Sequence, residues 1–347
     1  MFYIHQSSCI SHLPTFDEVD IENLLPSENN LISAIEPKYI GVPLGQLRRM
    51  GRALRMGVGT SMKLLQENKV DGILVGTANG GIEDSILFLH QINEYQEGRL
   101  TPTNFVQSTY NAIAGMVSMI TANKGYNTTH VHRGLAFENV VLDAAMLLKE
   151  NPDNSYLITG VDEISEHNHR IVSLGGWYKK EAVLNSELYK SDTEGTLPGE
   201  GSASFIVSNK SENAVAKLNA IKLVSSDDEL YVKQQLQDFL SEYLKNGEQI
   251  DLMLSGENGD SRLLNYYTSL EGLMSSDTTI ARYKHAFGEF QTVPALALWL
   301  ACKVLQSKRI PEHFVKRKST DSLRRILICN NYQGKQHGFM LVEKQKS

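Results

Sequence analysis

Residues 125–150, GYNTTHVHRGLAFENVVLDAAMLLKE, decide how the rest of the chain is read. The stretch opens on polar, β-tolerant residues: Asn127, Thr128, Thr129, His130 and Val131. A tight Arg133-Gly134 turn follows, then an apolar pattern at helical spacing made by Leu135, Val140, Val141, Ala144, Ala145, Leu147 and Leu148. Strand, sharp turn and buried helix is how many α/β enzymes present a nucleophile at a helix N-terminus, where free N–H groups and the helix dipole favour negative charge. No Ser or Cys lies between Val131 and Glu150. The geometry of a nucleophile elbow is present without its nucleophile.

On either side the same grammar recurs. Upstream, TNFVQSTYNAIAGMVSMITAN (residues 103–123) reads as a helix whose small residues Ala112, Ala114 and Gly115 suit close packing. Before it, DGILVGTANGGIE (residues 71–83) reads as an apolar strand entering a glycine-rich turn. It is no dinucleotide or phosphate loop, since the GxGxxG spacing is absent and no Walker lysine follows. Residues 43–68 carry Leu44, Leu47, Met50, Leu54, Val58, Met62 and Leu65 at helical spacing, with Arg48, Arg49, Arg52 and Arg55 between them. The preferred reading is an amphipathic helix with a solvated basic face, over a docking face for an acidic partner. Residues 1–12 read as a strand or two, and residues 13–39 as a polar, turn-rich excursion. Downstream, YLITGV (residues 156–161) is a short buried strand, and LPGEGSASFIVS (residues 197–208) is a glycine turn feeding another. Strands near 216–224 and 250–254, helices near 228–246 and 293–305, and a closing strand pair complete a second half. The alternation predicts an α/β layered fold from two halves, 1–195 and 196–347, that look duplicated without a visible sequence repeat.

Composition narrows the function. The 347 residues are 41% hydrophobic and 21% charged with a net charge of −6, so nothing supplies the basic excess that phosphate neutralisation needs, and nucleic acid is not expected as a partner. Cys9, Cys302 and Cys329 are widely spaced, with no CxxC. They suggest neither a disulfide framework nor a zinc site; Cys302 and Cys329 lie in apolar runs and read as small buried hydrophobes. No metal or cofactor is expected. The N-terminus lacks the pattern of a secretory signal and no apolar run is long enough to span a membrane, so the expected place is the cytoplasm.

Several stretches together resemble the β-ketoacyl-[acyl carrier protein] synthases of the thiolase fold. GTANGG at 76–81 resembles the family's first glycine turn, and Asn111, Ala114 and Gly115 its N-x-x-A-G helix. LPGEGSAS at 197–204 resembles its P-G-E-G-A signature and is the most specific match. Tyr283-Lys284-His285 sits where the family carries a Lys shortly before its second active-site His, and residues 330–342 resemble its closing glycine-rich hairpin. The matches keep the family order over nearly the whole chain. The resemblance implies a thiolase-like αβαβα layered sandwich built from two duplicated βα halves, and a dimer.

It also implies what is missing. The family's chemistry uses a Cys at the elbow, acylated by a carrier-bound chain, and two His that promote decarboxylation and stabilise an enolate. Carried over by position, the Cys falls at Gly134 (or Arg133 or Leu135), the first His at Asn258 (or Glu257) and the second at Glu289; only Lys284 is retained. Gly cannot be acylated, and a carboxylate at Glu289 would repel an enolate. The reading implied is a non-catalytic, chain-length-factor-like subunit that pairs with an active ketosynthase and meets acyl carrier protein. Such members resemble components of fatty-acid, polyketide, aryl-polyene and dialkylresorcinol pathways. Two alternatives stay open: an acyltransferase or decarboxylase using His130, His132, Lys284 and His285, and a homodimeric acyl- or carrier-binding protein. His130 and His132 alternate with Val131 and would share one face of a strand; they are read as interface histidines, since no third metal ligand is in sight. His285 could stand in for a lost His one turn away. Glu138 and Asp143 are read as a first-turn and a solvent-face helix residue, and Glu200 as structural.

Overall fold

The chain passes twice through one strand order. The first pass uses β1 (Phe2–Ile10), β2 (Gly72–Thr77), β3 (Tyr126–Val131), β4 (Ser155–Asp162) and β5 (Gly201–Ser208). The second uses β6 (Ala216–Ser225), β7 (Leu252–Ser255), β8 (Thr279–Arg282), β10 (Arg325–Tyr332) and β11 (Gln336–Lys344), with the short β9 (Val315–Arg317) on its outer edge. This is seen in a computed structural model that describes residues 1–95, 98, 100, 102–245, 247–319 and 323–345. The strands form one 11-stranded sheet in the order β3-β2-β4-β5-β1-β6-β11-β10-β7-β8-β9. Outward from the antiparallel β1–β6 seam, the first half runs β1, β5, β4, β2, β3 and the second β6, β11, β10, β7, β8. In each half the successive pairings are antiparallel, antiparallel, parallel and parallel. The duplication absent from the letters is therefore present in the topology. β5, which follows residue 195 in the chain, pairs with β4 and β1 of the first half.

Two helices fill the middle layer. Helix Ala136–Glu150 buries Ala136, Phe137, Val140, Val141, Ala144 and Leu148 on one stripe, and ends at Asn151, whose successor Pro152 cannot continue it. Its counterpart Val293–Ser307 starts with Pro at its first turn and is apolar nearly all round, so it suits a site covered on every side. Together they pack between Phe2, Ile158 and Phe205 of the first half and Leu254, Ile328 and Met340 of the second. Helices Arg52–Leu65 and Ala112–Thr121 cover the outer face of the first half, and Glu229–Tyr243 that of the second. β2 and β4 are buried on both faces, which is why they read as continuous apolar runs. The result is the αβαβα sandwich.

Several expectations change locally. Residues 1–12 give one strand, Phe2–Ile10. The helix expected over 43–68 breaks at Gly51 into Leu44–Leu47 and Arg52–Leu65, and the one over 103–123 splits into Pro102–Gln107 and Ala112–Thr121. The basic face is not simply solvated. Arg52 grips Glu200, which is 2% exposed, at 2.6 Å, and both Arg52 and Arg55 reach Glu36 at 2.7 Å. Glu200 also accepts the backbone N–H groups of Ala34 and Ile164, so this Glu of the PGEG stretch ties three loops together.

Candidate functional site

The elbow forms as the sequence suggests, and it is filled. After β3 the chain turns at Gly134-Leu135 into the central helix. The Gly134 N–H, which at an acylated elbow would face the acyl oxygen, donates to Gln336 Oε1 at 2.8 Å. A Cβ at position 134 would overlap Cβ and Cγ of Tyr332. Tyr332 is 7% exposed and is held by Gln291 Nε2 on its hydroxyl at 3.0 Å; Gln291 in turn accepts from Asn79 at 3.2 Å. Burial, with Glu289 near, pushes the Tyr332 phenol up to about 12, so it stays neutral. Here glycine is required by space, because the aromatic ring occupies the volume of a side chain.

Asn258 and Glu289, the two positions at which the resemblance implies histidines, meet each other. Asn258 Nδ2 donates to Glu289 Oε2 at 2.8 Å, and Lys284 Nζ donates to the same oxygen at 2.7 Å. Lys284 is completely buried and also reaches the Asn331 carbonyl at 3.2 Å. Burial pushes the Glu289 carboxyl up and the Lys284 amine down, while each partner's charge opposes that change in the other. Glu289 is set by the PGEG stretch. Gly199 N–H donates to the Glu289 carbonyl at 3.0 Å, and Glu289 N–H donates to the Leu197 carbonyl at 2.8 Å. Gly199 and Gly288 lie so close that a Cβ on either would overlap the other's backbone, and Gly288 has φ +78°, so only glycine serves there. The PGEG stretch thus fixes the backbone of Glu289.

Asn258, Glu289 and Tyr332 line one depression with Trp177, Tyr178 and Phe290. Its enclosed space is about 20 Å³, room for a water molecule and little more. The sequence-level candidates Gly134, Asn258, Glu289 and Lys284 are therefore brought to one place, with Tyr332 as the wall between the elbow and the polar cluster. Tyr332, Gln336 and Gln291 were missed by sequence reasoning; the only hint was the altered closing hairpin NNYQGKQ.

The remaining candidates lie elsewhere. His130 does not line the depression; its Nε2 meets Asp143 Oδ2 at 2.7 Å, and Asp143 also accepts from Tyr126 at 3.1 Å. His132 lies past the strand end, exposed, so the two do not act as a pair on one strand face. His285 turns away from Lys284. Its Nε2 meets His313 Nδ1 at 3.0 Å, its Nδ1 meets the Tyr189 hydroxyl at 3.3 Å, and His313 Nε2 meets the Ile21 carbonyl at 2.9 Å. One proton arrangement satisfies the chain. His313 donates to Ile21, His285 donates to His313, and Tyr189 donates to His285, all rings neutral. His285 therefore latches the N-terminal excursion and does not replace a catalytic His. Asp143 is partly buried and paired rather than on an open solvent face, and Glu138 stands in the first helical turn as read but is fully buried. Among the described residues no His/Cys/Asp/Glu group could hold a metal ion. Burial pushes the thiols of Cys9 and Cys302 up to about 12 and that of Cys329 up as well, so none is a ready nucleophile.

Two outcomes follow. Gly134→Cys should cost about 1–3 kcal/mol through overpacking against Tyr332, read by urea unfolding. It should still give no acyl adduct, because Gln336 caps the elbow N–H and both His are missing. For His285, burial first, then the nearby His313 and the Arg282 charge, hold its pKa near 3, below the ordinary 6.5. The neutral form is thus favoured in the fold, and its contribution is intact above pH 6.5 and lost as pH falls toward 3. Burial lowers the pKa of His313 as well, against the pull of the Ile21 carbonyl and of Glu22. The stability gap between wild type and His285→Gln should narrow as pH drops from 7 to 4; a gap independent of pH would reject the latch.

Comparisons with known proteins fit this geometry. Residues 26–173 match the family model described as β-ketoacyl synthase, N-terminal domain. None of the curated proteins compared with the chain matches it. Among solved structures, the ishigamide ketosynthase/chain length factor is similar with a TM-score of 0.78 and 11% identity, over 99% of each chain. A β-ketoacyl synthase from Burkholderia phymatum is similar with a TM-score of 0.77 and 14% identity, over 99% of each chain. A ketosynthase in complex with its chain length factor from Xenorhabdus doucetiae gives a TM-score of 0.78 and 11% identity, over 99% of this chain and 98% of that one. Residues 26–173 thus resemble a β-ketoacyl synthase N-terminal domain, and the chain as a whole has the thiolase-like ketosynthase fold.

Proposed function

We propose that the protein is a non-catalytic ketosynthase-like subunit of chain-length-factor type, which pairs with a catalytically complete ketosynthase in acyl-carrier-dependent fatty-acid- or polyketide-type synthesis of a polyene or pigment. The observation that carries this reading is the elbow. The nucleophile position is a glycine whose side-chain space holds Tyr332 and whose N–H is taken by Gln336. With Asn258 and Glu289 in place of the histidines, the site has neither a thiol to acylate nor a base pair to drive decarboxylation.

A surface for the partner supports it. β3 is the outermost strand of the first half and, among the described residues, pairs only with β2. Tyr126 and Val131 of that strand are exposed, and so are Phe105 and Met119 on the preceding helices and Leu142 and Met146 on the following one. An open strand edge beside exposed apolar side chains is a ready template for pairing with another chain. His130, tied to Asp143, lies within this face, which suits the interface reading. Among the described residues no helix is long and apolar enough to cross a membrane, and we place the complex in the cytoplasm.

Co-expression with a ketosynthase that retains its Cys and two His tests the pairing. The expected result is a stable one-to-one complex that changes the length of the product. A protein that stays a homodimer in the presence of every such synthase from its own operon would instead support a carrier-binding homodimer.

A further inference from the structure

We propose a second binding site, for a phosphorylated anion, in a groove at the β1–β6–β11 end of the sheet. The groove is open to solvent, has a volume of about 390 Å³, and is lined by Lys217, Lys245 and Lys344 with Tyr3 and Tyr243. It is built on one cross-strand row. Tyr3 of β1 sits opposite Lys217 of β6, Lys217 opposite Glu343 of β11, and Glu343 opposite Arg325 of β10. Neighbours in such a row have Cβ atoms about 5 Å apart, so Lys217 and Arg325 compete for Glu343.

Arg325 has it. Its Nε meets Glu343 at 2.5 Å and its Nη2 meets Glu248 at 2.8 Å, which engages both carboxylates of the groove wall. Lys217, Lys245 and Lys344 form no ion pair with any described residue, and Lys217 Nζ stands 5.6 Å from the Tyr3 ring centroid. The lining therefore carries unmatched positive charge on a chain whose net charge is −6. Three ammonium groups, each a compact point charge with three donors, match the several oxygens and multiple charge of a phosphate or pyrophosphate better than a single carboxylate. The exposed Tyr243 ring on the same wall offers apolar surface to a planar group attached to that phosphate, while the Lys217 ammonium stands over the Tyr3 ring. None of these residues lines the depression at the elbow, so occupancy here leaves that site free.

Isothermal titration of the full chain at low ionic strength, with sodium pyrophosphate in one arm and ADP in the other, tests the proposal. Saturable one-site binding that weakens as salt is raised is the expected result. Lys217→Gln/Lys344→Gln should bind at least tenfold more weakly with an unchanged melting temperature, while the exposed Lys38→Gln should bind like wild type. Tighter binding of ADP than of pyrophosphate would show that Tyr243 takes a ring, and equal binding that the phosphates suffice. No saturable heat in either arm, or binding unchanged in the double variant, would overturn the site.

Discussion

Replacing Lys284 with methionine should remove about 3–5 kcal/mol of stability, because it strands a carboxylate in the core. Glu289 is 7% exposed and Lys284 is fully buried, and the two share a 2.7 Å contact. With the ammonium gone, Asn258 is the one side chain among the described residues that still donates to that carboxylate. Glu289 would then have to bind a proton to stay buried. A carboxyl whose folded pKa lies above its unfolded one costs stability as pH rises, so Lys284→Met should weaken further between pH 5 and 8. The double variant Lys284→Met/Glu289→Leu removes both charges and should recover most of the loss. Urea unfolding at two pH values reads both effects. Equal losses in the single and double variants would mean that packing, and not charge, holds this cluster.

Glu138 should show the opposite sign. It lies on the central helix one turn past Gly134, has no exposed surface, and neither of its carboxylate oxygens has a hydrogen-bond partner among the described residues. Gly338 leaves it room, since a Cβ there would overlap Oε1. Burial pushes its pKa from 4.5 up to about 8, and only the charge of Lys284 and its own backbone pull back. The folded state therefore holds a proton that the unfolded chain releases above pH 4.5. Stability is full below that value and falls as pH rises through 8, by a total of about 4–5 kcal/mol. Glu138→Gln keeps the shape and removes the titration. Its stability relative to wild type should rise by about that amount between pH 5 and 9. A pH-independent difference would mean that Glu138 is ionised and solvated in the folded state.

Glu138 also shows where reading the sequence stops. Its place in the first helical turn is where an acidic residue gains from the helix dipole, and nothing local says that the second half of the sheet closes over it. The outline of the fold was more legible. The motifs at 76–81 and 197–204 lie at strand ends where close backbone demands glycine at Gly76, Gly81 and Gly199, so they are visible as letters. The duplication did not, since it lives in pairing order. β8, Thr279–Arg282, is too short to show alternation.

The site divides the same way. Gly134, Asn258 and Glu289 were named from the resemblance, and the structure brings them around one depression walled by Tyr332. Tyr332 and Gln336, which fill the elbow, act across some 200 residues of chain, and no periodicity encodes such a contact. The basic face of helix Arg52–Leu65 was misjudged for that reason too, since Glu36 and Glu200 arrive from distant loops. His285 follows Lys284 in sequence, yet a one-residue step on a single helical turn sends it to the opposite side, toward His313.

The central claim is that this chain carries a closed elbow and does no acyl transfer itself. Intact-mass spectrometry of the isolated protein, after incubation with acyl-carrier donors of several lengths, tests it most directly. The mass should stay unchanged, and when an active ketosynthase is added the acyl group should appear on that partner alone. A stoichiometric acyl adduct on this chain, mapped to Lys284 or to any residue of the elbow, would contradict the account.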